Sequence, residues 1–465
     1  MDDTSKIVPM MRRMPREELR RKFSRVSWTP QGRVHDVVGT VIEAHIPSAR
    51  LGAVVTVNVP GMPDGLPAEI VGFRGDKVLL LPYGQLTGIS PGCLISGQRM
   101  LSQMRVGDHL LGRIIDPFGH PLDTGTVHVP EFAPHVPIEK AAPNPMERAR
   151  IERPLSLGIR AIDGLLTFGE GQRLGIMAGS GVGKSVLMGM IAKQSAADIN
   201  VIALIGERGR EVREFIERDL GPEGLKRSIV IVVTGDQSPL MRIRGAKAAT
   251  AVAEHFSSQG RRVLLMMDSL TRVAMAQREI GLAIGEPPTT KGYTPSVFRM
   301  LPQLLERAGP QAGGRGSISG LYTVLVDGDD FNDPIPDAVR SILDGHINLS
   351  RDLASKGHFP AIEVTTSASR VMFDIVSKEH WDAANRFRAL LGIYRSNYDL
   401  YSTGAYQRGM NPDFDLALAL MPALERYLKQ DIDEVSNTDD AIHALVKVLA
   451  PRLYPRPIEE QLVAG

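Results

Sequence analysis

The chain has 465 residues and is 43% hydrophobic, enough to bury a full core across about two to four domains. Its 54 lysines and arginines nearly cancel 53 aspartates and glutamates, a balance unlike that of a dedicated nucleic-acid binder. The lone Cys93 excludes an intrachain disulfide and fits a reducing cytosol, no apolar run approaches the roughly 18 residues that span a bilayer, and the charged N-terminus lacks an apolar signal core.

Residues 1–27 stand apart, with eight basic and four acidic side chains. Pro15 can open a short helix with Leu19, Phe23 and Val26 along one side. The segment reads either as a docking helix for a partner or an anionic membrane surface, or as a solvated tail. Residues 28–98 change texture. Short β-rich runs (Val34–Ala44, Ala53–Val59, Ala68–Phe73, Val78–Leu81) alternate with glycine and proline turns, a spacing that predicts a small barrel or sandwich. After Trp28 this segment has only Phe73 and Tyr83 as aromatics, which favours an assembly role over RNA binding.

From about residue 99 the pattern becomes α/β, and a connector from Pro121 to Pro154 holds seven prolines. Apolar runs at Leu174–Ala178, Val201–Ile205, Ile229–Val233, Val263–Met267, Gly320–Val326 and Ile362–Val364 alternate with helical stretches. Continuous β-branched runs of this kind suit parallel strands buried on both faces. Beyond about 376 the pattern is helical, near 380–396, 413–430 and 438–449. The chain thus divides into a segment 1–27, a barrel 28–98, an α/β domain 99–375 and a helical domain 376–465.

The first α/β run leads into Gly179, Ser180, Gly181, Val182, Gly183, Lys184 and Ser185, the pattern of a phosphate-binding loop. Its glycines let backbone N–H groups turn around a phosphate at the start of a helix, where the helix dipole favours the same anion. Lys184 would reach the β- and γ-phosphates of a nucleoside triphosphate and the Ser185 hydroxyl would ligate Mg2+. Asp268 ends the strand Arg262–Met267. It either holds the Mg2+ hydration shell with Ser185 or caps the helix beginning at Ser269, and the loop upstream favours the metal. Glu207 lies just past another strand end, on the same sheet edge, where a carboxylate can orient and polarise an attacking water. Arg208, Arg210, Glu211, Arg213 and Glu214 read as a solvated charged face or as ion pairs. Transfer to water also needs positive charge on the transition state. Thr365–Arg370 follows the last apolar run, but Arg370 is one arginine among many.

Long stretches support a more specific reading: Gly206–Val212, Asp268–Arg272, Gly285–Phe298, Leu301–Gly309, Asp327–Ile335, Ile342–Arg351 and Gly357–Ile362. Together they resemble the type III secretion ATPases, flagellar and injectisome, which are similar in turn to the catalytic subunits of F- and V-type rotary ATPases. The resemblance covers about residues 30–430. It implies a RecA-like P-loop domain with an N-terminal small β-barrel and a C-terminal helical domain. It implies hydrolysis of ATP with Mg2+ to power protein export, releasing substrates from chaperones and unfolding them at an inner-membrane export gate. Residue by residue, Lys184 and Ser185 match the phosphate and metal residues, Glu207 the catalytic glutamate and Asp268 the strand-end aspartate. Arg370 matches an arginine finger that reaches the next subunit's site, and Phe359 an aromatic that stacks on adenine. Residues 285–297 match a loop lining a ring's central hole, where a coiled-coil stalk protein would sit, and the N-terminal segment matches a docking site for a peripheral-stalk-like regulator. Val186 stands where the family usually has threonine, Asp327 where glutamate is expected, and Lys291 where arginine is more usual. The short N-terminal segment and Gly97–Met100 lean toward an injectisome.

Loop, Glu207, Asp268 and Arg370 all lie in one chain, so identical copies can form a homohexamer with sites at subunit interfaces. The expected location is the cytoplasm, with peripheral contact to the inner membrane and no nucleic-acid partner. Three alternatives remain at this stage: a catalytic rotary-ATPase subunit, a ring-shaped RNA translocase, and a nucleotide-binding subunit without turnover.

Overall fold

A computed structural model describes residues 32–99, 103–123, 130, 132–311, 313, 315–326 and 333–453. The expected docking segment 1–27 and Asp327 lie outside these residues. The chain divides into two compact units, Met1–Leu101 and Ser102–Gly465.

In the first unit six strands close an antiparallel barrel: β1 (Gly32–Val38), β2 (Val41–His45), β3 (Val54–Val57), β4 (Leu66–Arg74), β5 (Lys77–Pro82) and β6 (Leu94–Arg99). Their order is β1-β2-β5-β4-β3-β6, and β6 pairs back onto β1. Period-two alternation supplies the interior, with Leu66, Ala68 and Ile70 of β4 buried between half-exposed neighbours. Val34, Ile42, Val55, Val57, Leu80 and Ile95 complete that core. Closure removes the unpaired edges that so small a sheet would otherwise expose.

The second unit holds a nine-stranded sheet. Its members are β8 (Arg113–Ile115), β10 (Arg173–Ala178), β11 (Ile199–Glu207), β12 (Ser228–Thr234), β13 (Arg262–Asp268), β14 (Gly309–Pro310), β15 (Ser317–Leu325), β16 (Gly345–Asn348) and β17 (Ala368–Ser369). The order is β17-β16-β10-β15-β13-β11-β12-β8, with β14 paired to β15 off this path. Two short strands, β7 (Gln103–Arg105) and β9 (His135–Pro137), pair separately. The strands from β8 to β16 along the main path run parallel, so their carboxyl ends share one edge. β11, β12 and β13 are buried over almost their whole length, which is why their sequences are continuous apolar runs and do not alternate.

One expected strand fails. Ile362–Val364 makes only a single antiparallel bridge, Leu349 to Ile362. Both apolar residues are buried, but in the core beside the sheet. The place next to β10 is taken by Gly345–Asn348, too short and polar a run to stand out. Burial, not ladder pairing, is what the apolar Ile362–Val364 stretch encodes.

The C-terminal helices Lys378–Ser402 and Thr438–Leu453 run beyond the expected stretches, and Pro412–Leu428 begins one residue before its expected stretch and ends two residues short of it. Their Phe387, Leu391, Tyr427, Leu445 and Leu449 join the same buried cluster as Ile162 and Leu165 of the short helix Arg160–Leu165. Gly164 leaves no room for a side chain against them: a Cβ there would lie 1.8 Å from the Tyr427 hydroxyl. That hydroxyl donates to Arg160 O at 3.2 Å and Ala441 O at 3.1 Å, so it cannot simply swing aside. Gly164→Ala is therefore expected to destabilise the fold by about 2 kcal/mol, overpacking outweighing the better helix propensity of alanine. Thermal unfolding followed by circular dichroism checks this, and an unchanged or raised midpoint would contradict it. Among the described residues no helix is long and apolar enough to cross a membrane.

Candidate active site

The loop 179–183 joins the end of β10 to the helix Lys184–Gln194. Gly181 and Gly183 take left-handed backbone at φ 79° and 85°, conformations that favour glycine and let successive N–H groups converge on an anion. Val182 anchors the loop in the core, while Ser180 and Gly181 are exposed. Lys184 and Ser185 occupy the first turn of the helix and are half-buried.

The parallel register carries two carboxylates to the same edge. Asp268, the last residue of β13, pairs alongside Leu204 of β11, and Glu207 ends β11 three residues further on. Gly206 has φ 76° and a bulge against β12 falls between Ile205 and Glu207, which turns the chain out of the ladder. Lys184 Nζ donates to Asp268 Oδ1 and lies 3.7 Å from Glu207 Oε1. All three side chains are largely buried, at 13%, 6% and 14% exposure. Burial pushes the Glu207 carboxyl up to about 7. The Asp268 charge acts in the same direction and Lys184 opposes both.

The alternative capping role for Asp268 goes to its neighbour. The Ser269 side chain accepts from Arg272 N at 3.4 Å and caps the helix Leu270–Ala283. Asp268 accepts instead from Thr323, whose fully buried hydroxyl donates to Oδ1 at 2.6 Å. Thr323 escaped the sequence reading. Its signal was a hydroxyl inside the apolar run Gly320–Val326, where a buried donor must find a partner.

Phe359 is 47% exposed, and its ring carbons lie 3.5 Å from where a Cβ on Gly183 would be. With Gly183, Val186, Tyr427 and Gln430 it lines a cavity of about 1290 Å³ between the loop and the C-terminal helices. Gln430, also missed from sequence, donates its backbone N–H to Phe359 O at 3.1 Å, while its side chain donates to Gly158 O and accepts from Arg160 N. The C-terminal region thus forms one wall of this cavity.

Arg370 is not brought to these residues. It follows β17, whose Ser369 pairs with Gly345 at the start of β16. Its N–H donates to Asp344 O, and Asp344 in turn bonds Arg173 at the start of β10. The loop leaves the other end of β10, five residue steps away, or roughly 16 Å of strand. Arg370 is exposed there, with one guanidinium contact, to Arg340 O at 3.2 Å. In the stretch 285–297, the Glu286 carboxylate accepts from Ser296 N at 2.9 Å and Lys291 pairs with Asp333 at 3.0 Å.

Among the described residues no group of three His, Cys, Asp or Glu side chains could hold a metal ion by itself. The Ser185 hydroxyl, next in sequence to Lys184, and the Asp268 carboxylate that Lys184 bonds are nonetheless a fitting donor set for Mg2+, which takes few protein oxygens and completes its shell with water and phosphate.

Three family models match along the chain: the ATP synthase alpha/beta family β-barrel domain over residues 34–97, its nucleotide-binding domain over 158–369, and the type III secretion EscN ATPase C-terminal domain over 376–447. The flagellum-specific ATP synthase of Bacillus subtilis is 53% identical over 423 residues, covering 91% of this chain and 96% of that protein. The type 3 secretion system ATPase of Sinorhizobium fredii is 50% identical over 413 residues, covering 89% and 90%. The chain belongs to the flagellar and type III secretion ATPase family. Solved structures agree. The assembled ATPase EscN of enteropathogenic E. coli superposes with a TM-score of 0.85 at 45% identity, covering 90% of this chain and all of that one. EscN in complex with its central stalk EscO gives 0.82 at 44% identity, with the same coverage. As a member of this family the chain is an ATPase with a P-loop α/β domain, an N-terminal six-stranded barrel and a C-terminal helical region. The match of residues 376–447 to the secretion-type C-terminal domain separates it from the rotary-subunit and RNA-translocase alternatives. Relatives of both flagellar and injectisome type stand at similar identity.

Proposed function

We propose that the chain hydrolyses Mg-ATP to drive type III protein export, as a homohexameric ring with active sites at subunit interfaces. The observation that carries the reading is the buried cluster of Lys184, Glu207 and Asp268 beside the glycine loop, with Arg370 at the opposite sheet edge. In this reading Gly179 to Gly183 cradle the phosphates with backbone N–H groups and Lys184 binds the β- and γ-phosphates. Ser185 and Asp268 hold Mg2+, which neutralises charge on the phosphates when bound. Glu207 accepts a hydrogen bond from the attacking water and orients it in line with the γ-phosphorus. Phe359 stacks on adenine, with Val186 against the base or ribose. Arg370 of one subunit stabilises the charge on the γ-phosphoryl group bound by the next.

Hydrolysis would release export substrates from their chaperones and promote unfolding at an inner-membrane export gate, so the cargo is protein and not nucleic acid. A central coiled-coil stalk protein would enter the ring, a partner type supported by the EscN–EscO complex. Residues 1–27 would dock a peripheral-stalk-like regulator and hold the enzyme at the cytoplasmic face of the inner membrane. The division proposed is 1–27, 28–98, 99–375 and 376–465.

Lys184→Ala is expected to lower ATPase turnover at least about a hundredfold and to stop secretion in a complemented deletion strain. Phosphate release by the purified protein and export into the medium measure the two effects. Substantial turnover remaining in Lys184→Ala would overturn the site assignment. Wild-type secretion with a dead enzyme would overturn the export role.

A further inference from the structure

Thr323 sits on β15, the strand between β10, which feeds the loop, and β13, which ends on Asp268. It pairs with Ile176 of β10, while Tyr322 pairs with Met267 of β13. A threonine inside a buried strand commonly satisfies its hydroxyl on a nearby backbone carbonyl. Here that carbonyl, Met267 O, is 3.4 Å away, whereas the Asp268 carboxylate is at 2.6 Å. The hydroxyl is therefore committed to the carboxylate, in a fully buried position where water cannot replace it. The same oxygen, Oδ1, also accepts from Lys184 Nζ.

We infer that Thr323 is a positioning residue for the metal. Its hydroxyl fixes the Asp268 carboxylate by Oδ1 and directs Oδ2 toward the Mg2+ shell. It also supplies a neutral donor that stays when Lys184 turns to phosphate. A buried carboxylate with one permanent donor keeps its charge and its rotamer through that exchange. The inference rests on the reading of Asp268 as the residue that holds Mg2+.

The test is equilibrium binding of a fluorescent, non-hydrolysable ATP analogue to the full chain during an Mg2+ titration, with an EDTA arm. Thr323→Val is expected to raise the half-saturating Mg2+ concentration about tenfold, the scale of an outer-shell partner, and to leave metal-free nucleotide binding unchanged. Thr323→Ser, which keeps the hydroxyl, is expected to restore the wild-type midpoint. Thr323→Ala provides the same comparison where the valine variant does not fold. An unchanged midpoint in both valine and alanine variants, or a serine variant as defective as valine, would overturn the inference. Asp268→Asn separates the two layers. If it shifts the Mg2+ midpoint and the Thr323 variants do not, only the role of Thr323 falls. If Asp268→Asn shifts nothing, the reading of the metal site falls first.

Discussion

Glu207→Gln is expected to bind Mg-ATP with near wild-type affinity and to hydrolyse it about a hundred- to ten-thousandfold more slowly. The amide keeps the size of the carboxylate and one acceptor oxygen, but it is far too weak a base to take the proton of the attacking water. The wild-type pH profile carries the same signature. Burial, reinforced by the Asp268 charge, raises this carboxyl from 4.5 to about 7. Below that value it is protonated and loses its capacity as a base, so kcat/KM falls by about tenfold for each further unit of acid. Glu207→Gln removes this limb and its residual rate is flat across the range. The stability consequence runs the other way. Between 4.5 and 7 the folded chain holds a proton that the unfolded chain has lost, so this group's contribution is present below 4.5 and disappears as pH rises through 7. Above pH 7 the wild-type protein buries an ionised carboxylate, and the glutamine variant should unfold at a higher temperature. Steady-state rates and thermal scans from pH 6 to 9 check both parts. A Glu207→Gln enzyme with wild-type turnover would remove the residue from the chemistry.

The parts of this site that were legible share one property: a break in an apolar pattern at the end of a strand. Glu207 and Asp268 each stand where a continuous hydrophobic run gives way to polar residues, and Lys184 follows the glycine loop that leaves a third such run. A parallel sheet brings such breaks to one edge whatever the spacing between them. The barrel was legible as a barrel or sandwich, because short β-rich runs recur between glycine and proline turns, and closure of the six strands decides between the two. Thr323 was less visible because its polarity is enclosed within a run read as core, and its partner lies 55 residues away on a neighbouring strand. Strands β8, β16 and β17, of three, four and two residues, are too short for periodicity to register. Ile362–Val364 shows the converse error, a run apolar enough for a strand but buried without one. Arg370 was singled out by family resemblance and not by local pattern, because its surroundings say nothing of phosphate: its ordered contacts are to Asp344 and Arg340.

That placement leads to the second large effect. Arg370→Ala and Lys184→Ala, each nearly inactive alone, are expected to regain activity when mixed. An arginine finger is worth about 10³–10⁵ in turnover, so Arg370→Ala rings should be close to inactive. Within one chain Arg370 and the loop lie at opposite ends of β10, and no side-chain rotation spans a gap of roughly 16 Å. A finger serving a neighbour makes each site a composite. The loop of an Arg370→Ala subunit is intact, and an adjoining Lys184→Ala subunit can supply its arginine. In rings assembled at random from equal amounts, about one quarter of the interfaces combine an intact loop with an intact finger, and independent sites then give about a quarter of wild-type turnover. A finger acting within its own chain gives no recovery at any ratio, because every site then lacks one of the two groups. The measurement is phosphate release against mixing ratio, after dissociation and reassembly, with native mass spectrometry to verify mixed rings. Recovery that peaks at equal amounts and vanishes at either end identifies a shared site. Mixed rings that stay inactive throughout would remove Arg370 from the neighbouring site and leave the source of transition-state charge to another residue.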